Sequence, residues 1–259
     1  MVSLRAFLRV APLLALLLLG QPALGQTAEP APESIGLDNS PDDVDNQLAE
    51  SNRRFDALFP VGPLDPLHRQ WEDATRQIEQ SLGLELGLNY TVLYQNADAS
   101  LPGRPSGAAV GDLDFFGRWN LVNRNGPWPG AVVFFTENRH RFTDIPPSAL
   151  GRAIGSLWGT TNAFSEQDYA LTQLYWEQGS QEDRVVSRLG KIDPQAIYDQ
   201  SRFISTNEAF INQAFSTTLA MPLPTTGLGA ALAVSPFTNT YVVGGVHDAN
   251  GDRTSFGDI

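Results

Sequence analysis

Three patterns in this chain place residue types at spacings that could do chemistry. Asp248, Asn250 and Asp252 in "HDANGDRTSFGD" stand at the spacing of a calcium loop. The glycine, however, is Gly251 rather than the sixth residue of the loop, and the twelfth position is Ile259 where a bidentate acid is needed, so a plain turn is expected. Asp112 and Asp114 pair two carboxylates as a glycosidase does, but such pairs are common in an acidic chain and argue nothing by themselves. "GLGAAL" at 227–232 imitates the start of a dinucleotide fingerprint without its third glycine or the preceding strand of a βαβ unit, so small strand residues explain it. His68, His140 and His247 are isolated, which disfavours zinc. There is no G-x-S-x-G and no cysteine, so a nucleophile elbow, a thiol nucleophile and a thiolate metal site all drop out. None of these patterns argues for an enzymatic site, and no resident metal and no cofactor are expected.

The chain opens "MVSLRAFLRVAPLLALLLLGQPALGQ": Arg5 and Arg9, an apolar run from Val10 to Leu19, then Ala23-Leu24-Gly25. This reads as a secretory signal peptide over residues 1–25. The apolar run is about half the roughly twenty residues a spanning helix needs, and no later run exceeds it. Removing it leaves 15 basic and 29 acidic residues, a net charge of −14. Nucleic acid is a poor partner for such a chain. Sixteen of the 17 basic residues are arginine, with Lys191 the single lysine, a bias towards planar forks that suit fixed carboxylate pairs and polar ligands.

Residues 26–63, rich in Pro, Asp, Glu, Asn and Ser, read as a flexible leader with no fold assigned. Residues 64–82, "DPLHRQWEDATRQIEQSL" and its flank, read as a short amphipathic helix: Asp65 is a candidate cap, Pro66 opens it, Leu67, Trp71, Ala74 and Ile78 share a stripe, and Gly83 stops it. From Gly83 onwards the period changes to two. In "LGLELGLNYTVLYQ", Leu84, Leu86, Leu88, Tyr90, Val92 and Tyr94 share one face, while Glu85, Asn89, Thr91 and Gln95 share the other. "AAVGDLDFFGRWNLV" repeats this, with Leu113, Phe115, Gly117, Trp119 and Leu121 opposite Asp112, Asp114, Phe116, Arg118 and Asn120. "NRNGPWPG" is a turn. "AVVFFTENRHRF" is a third strand of undecided facing, because Val132, Val133, Phe134 and Phe135 are all apolar.

"YALTQLYWEQ", "DRVVSRLGKID", "AALAVSP" and "NTYVVGGVHDA" continue the strand texture, with long loops between some of them and a helical turn expected around Glu208 to Phe215. Strands of about ten residues, internal glycines, and short turns alternating with long loops suit an outer-membrane barrel. Charges on the inward face (Glu85, Asp112, Asp114, Arg118) favour a barrel over a periplasmic β-sandwich or jelly roll, whose polar face would be exterior and could carry Lys as freely as Arg.

"RVVSRLGKIDPQAIYDQSRFISTNEAFINQAF" carries more than a period. Gly190, Lys191 and Asp193, then Tyr198-Asp199, Arg202-Phe203, Asn207, Phe210 and Asn212 resemble the "GK-[LI]-D … [FY]D-x-N-x-[FY] … N … F-x-N" signature of the carbohydrate-selective porin family, the OprB-like sugar porins. "TYVVGGVHDANGD", with Asp248, Asn250 and Gly251, is similar to that family's "Y-x-x-x-G-[VI]-x-D-A-N-G" strand and turn, and "QLYWEQ" also fits. Ser201 departs from the expected Asn. The resemblance spans roughly residues 66–259.

It implies an all-β fold, an antiparallel transmembrane barrel of sixteen strands in the full family, with residues 83–259 as its N-terminal part and the chain continuing past Ile259. It also implies passive diffusion of carbohydrates such as glucose across the Gram-negative outer membrane. The partners it implies are carbohydrate solutes and the lipid bilayer, with a homotrimer left open. A general, non-selective porin is the alternative, and an exported carbohydrate-binding or carbohydrate-active sandwich a more distant one. Glu85, Asn89, Asp112, Asp114, Arg118, Asn120, Glu137 and Arg139 would then line the lumen, where donors and acceptors replace water around sugar hydroxyls. Trp128 and Trp158 could stack on sugars, whereas Trp119 and Trp176, near strand ends, suit an interfacial girdle. Lys191 and Asp193 would share a salt bridge or a lumen role.

Overall fold

A computed structural model describes residues 37, 40–52, 62, 65–180, 184–201, 203–207, 209–218, 220–237 and 240–255. The signal peptide read at 1–25, most of the leader, and Arg202 of the family motif lie outside these residues.

Seven strands form one antiparallel sheet in which each strand pairs with the next in the chain: β1 (Leu84–Asn96), β2 (Gly107–Val122), β3 (Gly130–Arg141), β4 (Gln167–Ser180), β5 (Val185–Ile192), β6 (Gly227–Phe237) and β7 (Thr240–His247). The sheet is open, with β1 and β7 at its edges. The all-β expectation holds in this form. Register slips occur between Asn120 and Val122, around Phe135–Arg139 against β4, and between Val234 and Phe237, where extra residues bend the ladder.

Cross-strand register sorts the side chains into two faces. Glu85, Arg118, Val133, Tyr175, Gly190 and Gly229 stand at one level on one face, and Leu84, Trp119, Val132, Trp176, Leu189, Ala230 and Val246 at a neighbouring level on the other. The facing of β3, ambiguous in a run of four apolar residues, is settled by its neighbours. Phe135 stacks on Phe116 with centroids 5.4 Å apart, and Phe134 meets Phe115 on the opposite side at 5.6 Å.

The apolar face is the exposed one. Leu88, Tyr90, Tyr94, Leu174 and Leu232 are exposed, and Leu189 and Val246 reach 63 % and 73 %. The face bearing charge is the buried one: Asp112, Asp114, Glu137, Arg139, Glu177 and Arg188 are all less than 9 % exposed.

What buries the charged face is a helix the sequence did not suggest. α1 (Val44–Asn52) lies within the segment expected to be a flexible leader, and that expectation is corrected for residues 40–52. Its Val44 and Leu48, with Leu37 before them, are at most 2 % exposed and share a core with Phe116, Val133, Phe135, Tyr175, Val186, Ala231 and Ala233. Three apolar side chains in a polar segment are too few to fold alone, and they find their partners only on the finished sheet. Asp43 starts the helix by accepting from the backbone N–H of Asp45 at 3.1 Å.

α2 (Asp65–Leu82) is the amphipathic helix of the 64–82 segment. It stops at Gly83, whose φ of +68° is left-handed and whose N–H donates to the carbonyl of Glu79 at 2.8 Å. α3 (Pro147–Ile154) sits in the β3–β4 connection, α4 (Pro194–Tyr198) follows β5, and α5 (Gln213–Ser216) supplies the helical turn expected near 208–215. Among the described residues no helix is long and apolar enough to cross a membrane.

Candidate functional site

The eight residues expected to line a lumen all lie on the buried face of β1, β2 and β3. The structure gathers them into two ionic clusters, with Asn89 between them, level with Asp114.

The first cluster ties α1 to the wall. Glu177, from β4, bridges two arginines: it accepts from Arg118 Nη1 at 2.7 Å through Oε1 and from Arg188 Nε at 2.7 Å through Oε2. Arg188 Nη1 also donates to Asp43 Oδ2 at 2.6 Å and to the Leu37 carbonyl at 3.1 Å, and its guanidinium lies 5.1 Å from the Tyr175 ring centre. Arg118 reaches Asp45 Oδ2 at 2.8 Å and, through Nε, Asn120 Oδ1 at 3.1 Å; Asn120 then donates to Glu85 at 3.0 Å. Two forks thus serve four carboxylate and amide partners in fixed planes, work that lysine could not do. Away from the strands, burial, reinforced by the charge of Glu177, pushes the Asp45 carboxyl up to about 7. Burial likewise raises Asp42.

The second cluster is more acidic. Arg139 Nε donates to Asp112 Oδ2 at 3.0 Å and Nη2 to Glu137 Oε1, while Gln167 donates to Glu137 Oε2 at 3.1 Å. Asp112 Oδ1 and Asp114 Oδ1 are buried without a hydrogen-bond partner among the described residues. Asp112, Asp114, Glu137 and Arg139 line a polar cavity of about 160 Å³ together with Ser40, Asp42, Gln47 and residues of the loops after β3 and β5.

The family-motif residues serve mainly backbone architecture. Gly190 has φ +139°, and a side chain there would meet the Leu174 carbonyl at 2.5 Å. Lys191 Nζ donates to the carbonyls of Arg253 and Ser255 at 3.1 and 2.6 Å. Asp193 caps α4 by accepting from Gln195 N–H at 2.9 Å and lies 4.0 Å from Arg253. Asn212 caps α5 in the same way, and Asp199 N–H closes α4 onto Gln195. Phe203 and Phe210 pack against each other, exposed, at 5.8 Å, and Asn207 borders the polar cavity. Asp248 accepts from Asn250 N–H at 2.9 Å and Gly251 lies against Gly227, a plain turn.

Trp128 and Trp158 are exposed in their turn and loop, away from the ionic clusters, while Trp119 and Trp176 occupy the same level of the apolar face. Sequence reasoning missed Asp43, Asp45, Glu177 and Arg188. A signal existed for the last two: Tyr175-x-Glu177 and Arg188-x-Gly190 keep the two-residue step of the inward face.

Compared with protein families, curated proteins and solved structures, the chain has no match. The resemblance to carbohydrate-selective porins therefore rests on the motif residues themselves.

Proposed function

We propose that this sheet is an arc of the wall of an outer-membrane porin that passes carbohydrates by passive diffusion. The observation that carries the proposal is the inverted polarity of the sheet, apolar and exposed on one side, ionic and enclosed on the other. Lipid outside and a polar lumen inside give such a sheet a stable environment, which water on both sides does not. The residues from Leu84, level with Trp119 and Trp176, to Tyr94 span about 33 Å along β1. At the tilt usual in such walls this is about 25 Å of membrane, bounded by tryptophans at one end and tyrosine at the other.

In lipid the edges of β1 and β7 need partner strands, because unpaired N–H and C=O groups cost several kcal/mol each there. A cavity of about 1350 Å³ lies along the β1 edge, between Leu86, Leu88, Asn89 and Tyr90 of that strand and the Leu67–Glu79 stretch of α2. α1 narrows the lumen, and guanidinium and carboxylate groups around it offer sugar hydroxyls replacements for water while binding loosely enough for release. No bond is broken in such transport, and the driving force is the solute gradient.

The test is ion conductance of the protein in planar lipid bilayers with and without sugar. Millimolar glucose or a related sugar should reduce the current by occupying the lumen. A current indifferent to sugars would leave a general, charge-filtering porin. A protein that stays in water without detergent and carries no current would overturn the membrane reading altogether.

A further inference from the structure

The second cluster has an unbalanced charge that the sugar-channel reading does not use. The cavity of about 160 Å³ is lined by five acids, Asp42, Asp112, Asp114, Glu137 and Asp193, against two arginines, Arg139 and Arg253. Arg253 is turned towards Asp193, 4.0 Å away, so among the described arginines only Arg139 is hydrogen-bonded to the strand acids, to Asp112 and Glu137 but not to Asp114. Asp112, Asp114 and Glu137 are each 4 % exposed, and one oxygen from each lies within 4.8 Å of the others. Independently of that proximity, Asp112 Oδ1 and Asp114 Oδ1 have no hydrogen-bond partner among the described residues, although both are buried and both residues face the cavity. Buried carboxylate oxygens without donors are costly, and ordinarily a donor, a proton or a cation meets them.

We propose that Asp112, Asp114 and Glu137 hold a calcium ion. All three ligands are hard oxygens, with no nitrogen or sulfur in reach of the cluster, which points away from transition metals and towards calcium or magnesium. Oxygens on a calcium at 2.3–2.6 Å stand up to about 5 Å apart, whereas those on magnesium at about 2.1 Å stand no more than about 4.2 Å apart. Three oxygens within 4.8 Å of one another fit inside a calcium shell. The cavity has room for about five waters at ~30 Å³ each, enough to complete a coordination of six to eight. Three carboxylates and one guanidinium carry a net −2, which a divalent cation neutralises. Because β2 and β3 supply all three acids and Ser40, Asp42 and Gln47 close the cavity, the ion would fasten the segment before α1 to the wall.

The test compares wild type with Asp114→Asn, which keeps the shape and removes one anionic ligand. Equilibrium dialysis of the full chain in detergent against radioactive calcium should give one ion per chain in wild type, with binding at least about tenfold weaker in the variant. Calcium at millimolar concentration should raise the thermal midpoint of wild type above its value in EDTA and leave the variant unmoved. Wild type alone, with calcium against EDTA, serves if the variant folds poorly. No bound calcium in wild type, or equal binding in both proteins, overturns the site and leaves the two oxygens to protons. Neither result depends on whether sugars block the current.

Discussion

Arg188 is the residue whose replacement tests the architecture most directly. It is 3 % exposed and hydrogen-bonds two carboxylates, Asp43 at 2.6 Å and Glu177 at 2.7 Å, which are themselves 2 % and 6 % exposed. Arg188→Met keeps an unbranched stem against Tyr175 and deletes the charge. Glu177 retains Arg118, but Asp43 loses its bond to Arg188, and removing one partner of a buried pair costs about 3–5 kcal/mol. The double variant Arg188→Met/Asp43→Asn removes that buried negative charge and keeps an acceptor for the Asp45 N–H, so about 2 kcal/mol should return. The assay is urea unfolding of the protein folded in lipid vesicles, followed through its five tryptophans and extrapolated linearly to zero urea. A loss below about 1 kcal/mol in the single variant, or a double variant no more stable than the single, would mean that Asp43 finds other partners and that α1 is not held by charge.

Two further outcomes follow from the faces of the sheet and from α1. Leu232 sits mid-strand on the apolar face between Ser187 and Gly244; Leu232→Arg should cost about 2–4 kcal/mol if lipid covers that face, against about 0.5 kcal/mol for an ordinary wetted surface, and vesicle unfolding separates the two. Asp45, with its carboxyl raised to about 7, binds its proton more tightly in the folded chain than in the unfolded one. Its contribution is therefore complete below about pH 4 and lost as pH rises through about 7. Wild type should lose about 1–2 kcal/mol relative to Asp45→Asn between about pH 5 and pH 8, the 30 % exposure of the side chain screening the rest; a constant gap would refute the assignment.

The strands were legible where polar and apolar residues alternate strictly, as in β1 and β2, because a period of two assigns each side chain to a face without knowledge of its neighbours. β3 was not, since four apolar residues in a row suit either facing and only pairing with β2 decides. α1 was hidden for a different reason: its composition is that of a disordered segment, and its order is borrowed from surfaces as far away as Ala233. The candidate site divides along the same line. Of the eight expected residues, the six on β1 and β2 could be read from period alone, and Glu137 and Arg139 take their face from the pairing of β3 with β2, whereas Glu177 and Arg188 become a pair only through the β4–β5 register, and Asp43 and Asp45 join only through a tertiary contact.

The pairing of α1 with the wall also sets an order of events in assembly. α1 is synthesised before any strand, yet its two acids bond to arginines 73 and 145 residues further along the chain. The clasp cannot close until β5 has been made and laid beside β4, so the helix waits, unfolded, while the wall is built. During that interval the charges of that face stay hydrated, and docking of the short helix exchanges that water for buried ion pairs. Because the ladder bonds of the sheet run between strands and none is contributed by α1, the helix can leave again by local unfolding without opening the sheet. The helix is therefore chemically part of the sheet and mechanically separable from it.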